Sequence, residues 1–145
     1  MKGGEAIYSL GTSNRTREEF LDLLRSLGVE LVVDVRRFPS SRFQHFKREE
    51  LATLLEGEGF GYIYLGQELV GYRSGGYQSY LATEGFRRGL ERLEELARER
   101  RVVFLCAERL PWRCHRRFIG WELEREGFRV VHVIDENRSW VPKPR

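Results

Sequence analysis

The chain has 145 residues, 41% of them hydrophobic, and 25 basic side chains against 22 acidic ones give a formal charge of +3. That length suits one domain over residues 1–145 with a core of its own, and no apolar run approaches the roughly 20 residues of a membrane span. The opening MKGGEAIYSL lacks the apolar stretch of a secretory signal, so a cytoplasmic protein without a membrane partner is expected. Two cysteines are too few for a disulfide scaffold, and a reducing compartment keeps them as thiols.

Only three of the basic residues are lysine (Lys2, Lys47, Lys143). A GC-rich genome or a hot habitat would favour such arginine on solvated surfaces. Clustering points further: Arg36, Arg37, Arg42, Lys47 and Arg48 fall between Val35 and Glu49 with no acid among them, a segment that attracts anions.

In chain order, EAIYSL reads as a first strand. After GTSNR, Thr16 and Glu19 form a capping box, and Phe20, Leu23, Leu24 and Leu27 keep helical spacing until Gly28. LVVDV is an apolar strand of the kind buried on both faces of a parallel sheet. Lys47 to Glu56 is a short helix closed by Gly57, and GYIYL a third strand. The glycine- and tyrosine-rich GQELVGYRSGGYQSY follows as a long connection, of a length that is usually functional or mobile. Thr83 caps a helix bearing Phe86, Leu90, Leu93 and Ala97, VVFLC is a fourth strand, and His115 to Glu126 a fourth helix stopped by Gly127. FRVVHVI is the fifth strand, and an irregular tail is expected from about residue 135. Five strands alternating with four helices predict an α/β fold, a Rossmann-like three-layer α/β/α sandwich with a mostly parallel sheet.

Ligands in such sheets bind beyond the carboxyl ends of the strands. Those ends carry GTSN, DVRRFPSSRFQHF, LGQEL, CAERLPWRCHR and DENRSW, whereas the opposite ends are plain turns. Cys106 ends a strand, where it is either a small hydrophobe or a crevice thiol. Cys114 lies at a helix start with Arg113, Arg116 and Arg117 nearby, a setting that favours the thiolate. His115 and Arg116 at that start resemble an anion cradle in composition, with Glu108 as a base or an orienting group. Asp34 and Arg36 share a strand face and can pair, either structurally or to aim the guanidinium at the crevice. Pro39 sets a turn in which Ser40 and Arg42 suit an oxyanion, and Ser9, Thr12, Ser13 and Asn14 line the first strand's end in the same manner. A redox couple of the two cysteines would have to close across the strand-to-helix loop. Zinc on Cys106, Cys114, His115 and His45 matches no familiar structural module. Neither a metal nor a cofactor is expected.

Several segments together, YSLGTSNRTREEF, LVVDVRRFPSSRFQHF, YIYLG and VVFLCAERLPWRCHRRFIGWEL, closely resemble the bacterial and archaeal family catalogued as domain of unknown function 488. Its signatures are a strand-end Asp-Val-Arg with a following Pro-x-Ser, and Cys-Ala-Glu followed by Cys-His-Arg. The resemblance implies a site of Asp34, Arg36, Pro39, Ser40, Cys106, Glu108, Cys114, His115 and Arg116, and it implies no reaction. Gln67 stands where a second glycine is common. The layout is also similar to rhodanese-like sulfurtransferases and phosphatases, which would make Cys106 the nucleophile, although CAERLPWR puts an acid and bulky residues where amides should converge.

The leading expectation is an enzyme acting on an anionic, phosphate-containing small molecule or nucleotide. Arg36, Arg42 and Arg116 would clamp the anion, and Cys114 or Cys106 would react with the help of His115. The alternative is a nucleic-acid-binding module using the basic, aromatic segment 36–48 with Tyr72, Tyr77, Tyr80, Trp112 and Trp140. A thiol or metal sensor is a third reading.

Overall fold

The structure is a computed structural model that describes residues 6–37, 43–70 and 77–141. Its elements are β1 (Ala6–Gly11), α1 (Arg17–Leu27), β2 (Leu31–Asp34), α2 (Arg48–Gly57), β3 (Gly61–Tyr64), α3 (Gly66–Leu69), α4 (Tyr77–Tyr80), α5 (Glu84–Glu99), β4 (Val102–Cys106), α6 (Arg116–Arg125), β5 (Arg129–Asp135) and β6 (Arg138–Trp140). The strands form one six-stranded sheet in the order β3-β2-β4-β1-β5-β6, parallel except for the β5–β6 pair.

Residue alternation along the strands builds two cores. Leu10, Val32, Val103 and Leu105 meet Phe20 and Leu24 of α1 and Leu51 and Leu55 of α2 on one face. Ile7, Val33, Phe104 and Val130 meet Phe86, Leu90 and Leu93 of α5 and Ile119 and Leu123 of α6 on the other. Three layers result, as the alternating pattern implies. Helices leave β1 and β2 towards one face and enter and leave β4 on the other, so the chain reverses direction across the sheet where β1, β4 and β2 lie side by side. That is the switch point at which a crevice opens beyond the strand ends.

Local signals account for most boundaries. Thr16 accepts from the Glu19 amide while the Glu19 carboxylate accepts from the Thr16 amide, and Gly28 ends α1 in the left-handed region at φ 69°. Thr83 caps α5 through the Phe86 amide.

Three expectations need correction. The sheet has six strands, because the tail is not wholly irregular: Arg138–Trp140 pairs antiparallel with β5 across a register shift. Asp135 holds the intervening turn by accepting from the Asn137 amide and the Arg138 guanidinium. The long third connection contains the single-turn helices α3 and α4, with residues 71–76 outside the described region. Helix α2 runs through Gly57, and the chain reverses two residues later at Gly59, φ 91°. Among the described residues, no helix is long and apolar enough to cross a membrane.

Gly11 marks the closest backbone approach at the crevice. A Cβ there would lie 1.9 Å from the Glu108 carbonyl oxygen, inside any allowed contact. Gly57, by contrast, has open space around it. Gly11→Ala should therefore destabilise by about 1–3 kcal/mol or more as the 107–110 loop is pushed away, and Gly57→Ala should be neutral or slightly stabilising, as Ala exceeds Gly by about 0.5–1 kcal/mol in helices. Urea denaturation of the two variants measures the difference; equal effects would contradict the close approach.

Candidate active site

Two backbone bonds extend the β1–β4 ladder beyond the sheet: the Thr12 amide donates to the Cys106 carbonyl at 2.8 Å and the Ser13 amide to Ala107 at 2.9 Å. On the other side of β4, the Val35 amide donates to the Leu105 carbonyl. Cys106 is thus locked between β1 and β2, and its side chain is buried on the α6 side of the sheet.

The chain from Ala107 to His115 then doubles back, through a single helical turn at Pro111–Arg113, to start α6. This brings the Cys114 sulfur to 2.8 Å from that of Cys106, and both cysteines are free. Cys114 is extended (φ −132°, ψ 154°), just before α6, and half-buried. The His115 Nδ1 lies 3.6 Å from the Cys114 sulfur. Its Nε2 donates to the Val35 carbonyl at 3.1 Å, a bond that requires the hydrogen on Nε2 and leaves Nδ1 to face the sulfur. The Tyr77 ring of α4 packs edge-on against the imidazole, with centroids 5.6 Å apart.

The two sulfurs are electrostatically unequal. Burial pushes the Cys106 thiol well up, and the contact with Cys114 adds to this. Cys114 is lowered to about 3, first by the hydrogen bond from Cys106, then by His115 and the charge of Arg116, although burial opposes them. The two shifts run in opposite directions and favour a proton on Cys106 and a negative charge on Cys114.

Arg116, expected as an anion clamp, is fully buried. Its Nη1 donates to Ser9 Oγ at 2.9 Å, and its Nη2 to the carbonyls of Glu108 (2.8 Å) and Arg109 (3.2 Å). Arg36 is likewise buried: Nε and Nη2 grip Asp34 at 2.9 and 2.8 Å, and Nη1 donates to the Phe46 carbonyl at 2.6 Å. Tyr62 adds a bond to Asp34 at 2.6 Å, and burial with that carboxylate raises its hydroxyl pKa. The Glu108 carboxylate turns back to accept from the Leu110 amide. Carbonyls of this loop point inward at Arg116 and an acid covers one of its amides, the opposite polarity to an anion-wrapping loop. Pro39, Ser40 and Arg42 lie outside the described residues.

Other expected residues separate from the thiols. His45 Nε2 is 2.9 Å from the Arg15 carbonyl, and among the described residues no three of His, Cys, Asp or Glu converge as a metal site would require. Within the segment 36–48, Phe46 is core, packed edge-on against Phe20 at 5.1 Å. Ser13 and Asn14 bind Arg109. Two clefts of about 530 and 480 Å³ lie beside α2 and between α1 and the β5–β6 turn; neither is lined by a cysteine. The thiols, rather than either cleft, are the candidate site because the two sulfurs lie 2.8 Å apart beside His115.

Sequence reading missed Arg15 and His132, and named Tyr77 only as a stacking surface for nucleic acid, not as the ring against His115. Arg15 is buried and donates to the carbonyls of Gly11 and Ile134 at 2.8 and 2.6 Å, and burial lowers it to about 10. In the sequence it looks like one more surface cation. His132 had a visible signal, a lone imidazole within apolar FRVVHVI. It is buried beside Ser9, edge-on to Phe104 and tilted against Trp140. Gly120 makes room for it, since a Cβ there would sit 2.9 Å from its Nε2.

These features define a doubly wound α/β protein with a cysteine pair and an adjacent histidine at its topological switch point. The chain belongs to the family described as Domain of unknown function DUF488, whose model matches residues 16–122. No curated protein matches the chain. The matched span holds Asp34, Arg36, Cys106, Glu108, Cys114, His115 and Arg116, whereas Ser9, Gly11 and His132, which support them, fall outside it.

Burial, then the charge of Arg116, lowers His132 from 6.5 to about 3. Between those values the unfolded chain binds the proton and the folded protein does not, so stability falls as pH drops from about 6.5 towards 3, by up to about 1.4 kcal/mol per pH unit. Urea midpoints across this window should slope more steeply for the wild type than for His132→Asn; identical slopes would show that His132 is not held neutral.

Proposed function

We propose that the protein is an enzyme that acts through a covalent bond to Cys114, with His115 as its proton partner and a small anionic molecule as substrate. The half-buried, low-pKa Cys114 held between His115 and Cys106 carries this reading. A thiolate is the nucleophilic form of cysteine, and a neighbouring imidazole fixed by a second bond is the arrangement that generates it. His115 takes the Cys114 proton on Nδ1 and is available to return it to a leaving group.

The anionic character of the substrate rests on the surroundings of the thiolate. Arg113, the residue before Cys114, is exposed, and Trp112 before it is 41% exposed. Phosphate esters and nucleotides are members of the class such a cation would attract. Because Arg36 and Arg116 bond protein groups, as do Arg109 with Ser13 and Asn14 and Arg117 with the Trp112 carbonyl, exposed Arg113 is the cation assigned to the ligand.

Alkylation of Cys114, followed by peptide mass, tests both parts. Its rate should stay nearly flat from about pH 8 to about pH 5, where an ordinary thiol slows on the order of a thousandfold. Relative to free cysteine, anionic iodoacetate should be favoured over neutral iodoacetamide, and Arg113→Ala should reduce that preference. A Cys114 rate that tracks an ordinary thiol would overturn the nucleophile assignment, and indifference to reagent charge would overturn the anionic substrate.

A further inference from the structure

The second sulfur is not needed to make Cys114 a nucleophile, yet the fold brings it closer than a van der Waals contact. Cys106 is 1% exposed and, among the described residues, flanked by β1, β2 and its own loop, so its sulfur is withdrawn from solvent. The only reactive atom within its reach among the described contacts is the Cys114 sulfur, at 2.8 Å. A disulfide bond is about 2.05 Å long, so closing it requires an approach of under about 1 Å. Cys106 is fixed at the end of a central strand. Cys114 sits in the loop between the Pro111–Arg113 turn and α6, outside the sheet, so the smaller movement falls to it.

We infer that Cys106 is the resolving thiol of a Cys114-centred thiol–disulfide exchange, and that the substrate is a low-molecular-weight disulfide carrying negative charge. This rests on the reading of Cys114 as the nucleophile and deepens it by naming the bond attacked. In the first step the Cys114 thiolate attacks one sulfur of the substrate disulfide. The substrate S–S bond breaks, a mixed disulfide forms on Cys114, and the departing thiolate takes the proton held on His115 Nδ1. In the second step Cys106 loses its proton and attacks the Cys114 sulfur. The mixed disulfide breaks, and the second substrate thiolate leaves with the proton that Cys106 gave up. The substrate is reduced by two electrons to two thiols, and the cysteine pair is oxidised by two electrons to the Cys106–Cys114 disulfide. Two equivalents of a thiol return the pair to its starting state by the reverse path: the first forms the mixed disulfide on Cys114 and frees Cys106, and the second displaces Cys114 and leaves with the first as their disulfide.

The geometry makes the order of events one-way in space. Only Cys114 is open to the solvent, so it alone can receive the substrate, and only Cys106 is placed to displace it. A mixed disulfide on Cys114 is short-lived because its resolution is intramolecular.

The full-length reduced protein, treated with glutathione disulfide and quenched with acid at intervals, tests this by intact and peptide mass. Wild type should pass through a transient glutathione adduct to the Cys106–Cys114 disulfide. Cys106→Ser should accumulate the adduct on Cys114 with a lifetime at least about a hundredfold longer, the scale on which intramolecular attack exceeds the bimolecular one. Cys114→Ser should take up neither. Cationic cystamine should react more slowly than glutathione disulfide relative to their rates with free cysteine. A wild-type adduct that persists without forming the internal disulfide would overturn the inference while leaving a reactive Cys114, and needs no variant to fold. Failure of Cys114 to form any adduct would instead remove the nucleophile on which both readings stand.

Discussion

Placement of Cys114 over Cys106 depends on the buried guanidinium of Arg116. A charged side chain withdrawn from water costs several kcal/mol unless its donors are answered, and here Nη1 and Nη2 are answered by Ser9 and by the carbonyls of Glu108 and Arg109, while Nε is buried without a partner. Because the two carbonyls belong to the loop that follows β4 and the guanidinium belongs to the first turn of α6, the bonds fold that loop back on itself. Residues 113–115 are thereby returned to the crevice. Ser9 ties the same guanidinium to β1, and Gly11 leaves the space in which the Glu108 carbonyl sits.

All of those partners are neutral, so the positive charge is left to act on its surroundings. It favours the Cys114 thiolate and disfavours a proton on His132. One residue thus shapes the loop and sets the charge states on both sides of it. The second buried cation, Arg36, acts differently. Held by Asp34 with the support of Tyr62, it fixes the chain just after β2, where the Val35 carbonyl orients His115. Removing either partner of such a buried pair leaves an uncompensated charge, at a cost of about 3–5 kcal/mol. Their roles are therefore positional: they hold the backbone that holds the imidazole and the sulfur.

The layered fold was legible because apolar runs, capping residues and stop glycines agree with one another along the chain, as at Thr16 to Gly28 and Thr83 to Ala97. The location of the site was legible for a related reason, since polar residues collect at only one end of the strands. Residue roles were less so. Arg36 and Arg116 have the composition of an anion cradle, but whether a guanidinium faces water or carbonyls depends on how a loop closes, and composition carries no such information. Seven residues, Pro111 among them, separate Cys106 from Cys114, a spacing that does not by itself imply contact. The hairpin at Asp135 was hidden because its turn lacks the Asn-Gly or Asp-Gly pair that announces a tight reversal, and a three-residue strand has too few positions to show alternation.

The central claim is that the pair holds a single proton, on Cys106, so that Cys114 is a thiolate well below neutral pH. Ultraviolet absorbance of the thiolate, titrated on the reduced full-length protein and on each cysteine-to-serine variant, measures this directly. The account predicts one thiolate per molecule still present at about pH 5–6, where a free cysteine is fully protonated, retained in Cys106→Ser and absent from Cys114→Ser. An absorbance that disappears on acidification with the ordinary thiol midpoint, or one that survives in Cys114→Ser and is lost in Cys106→Ser, would contradict it.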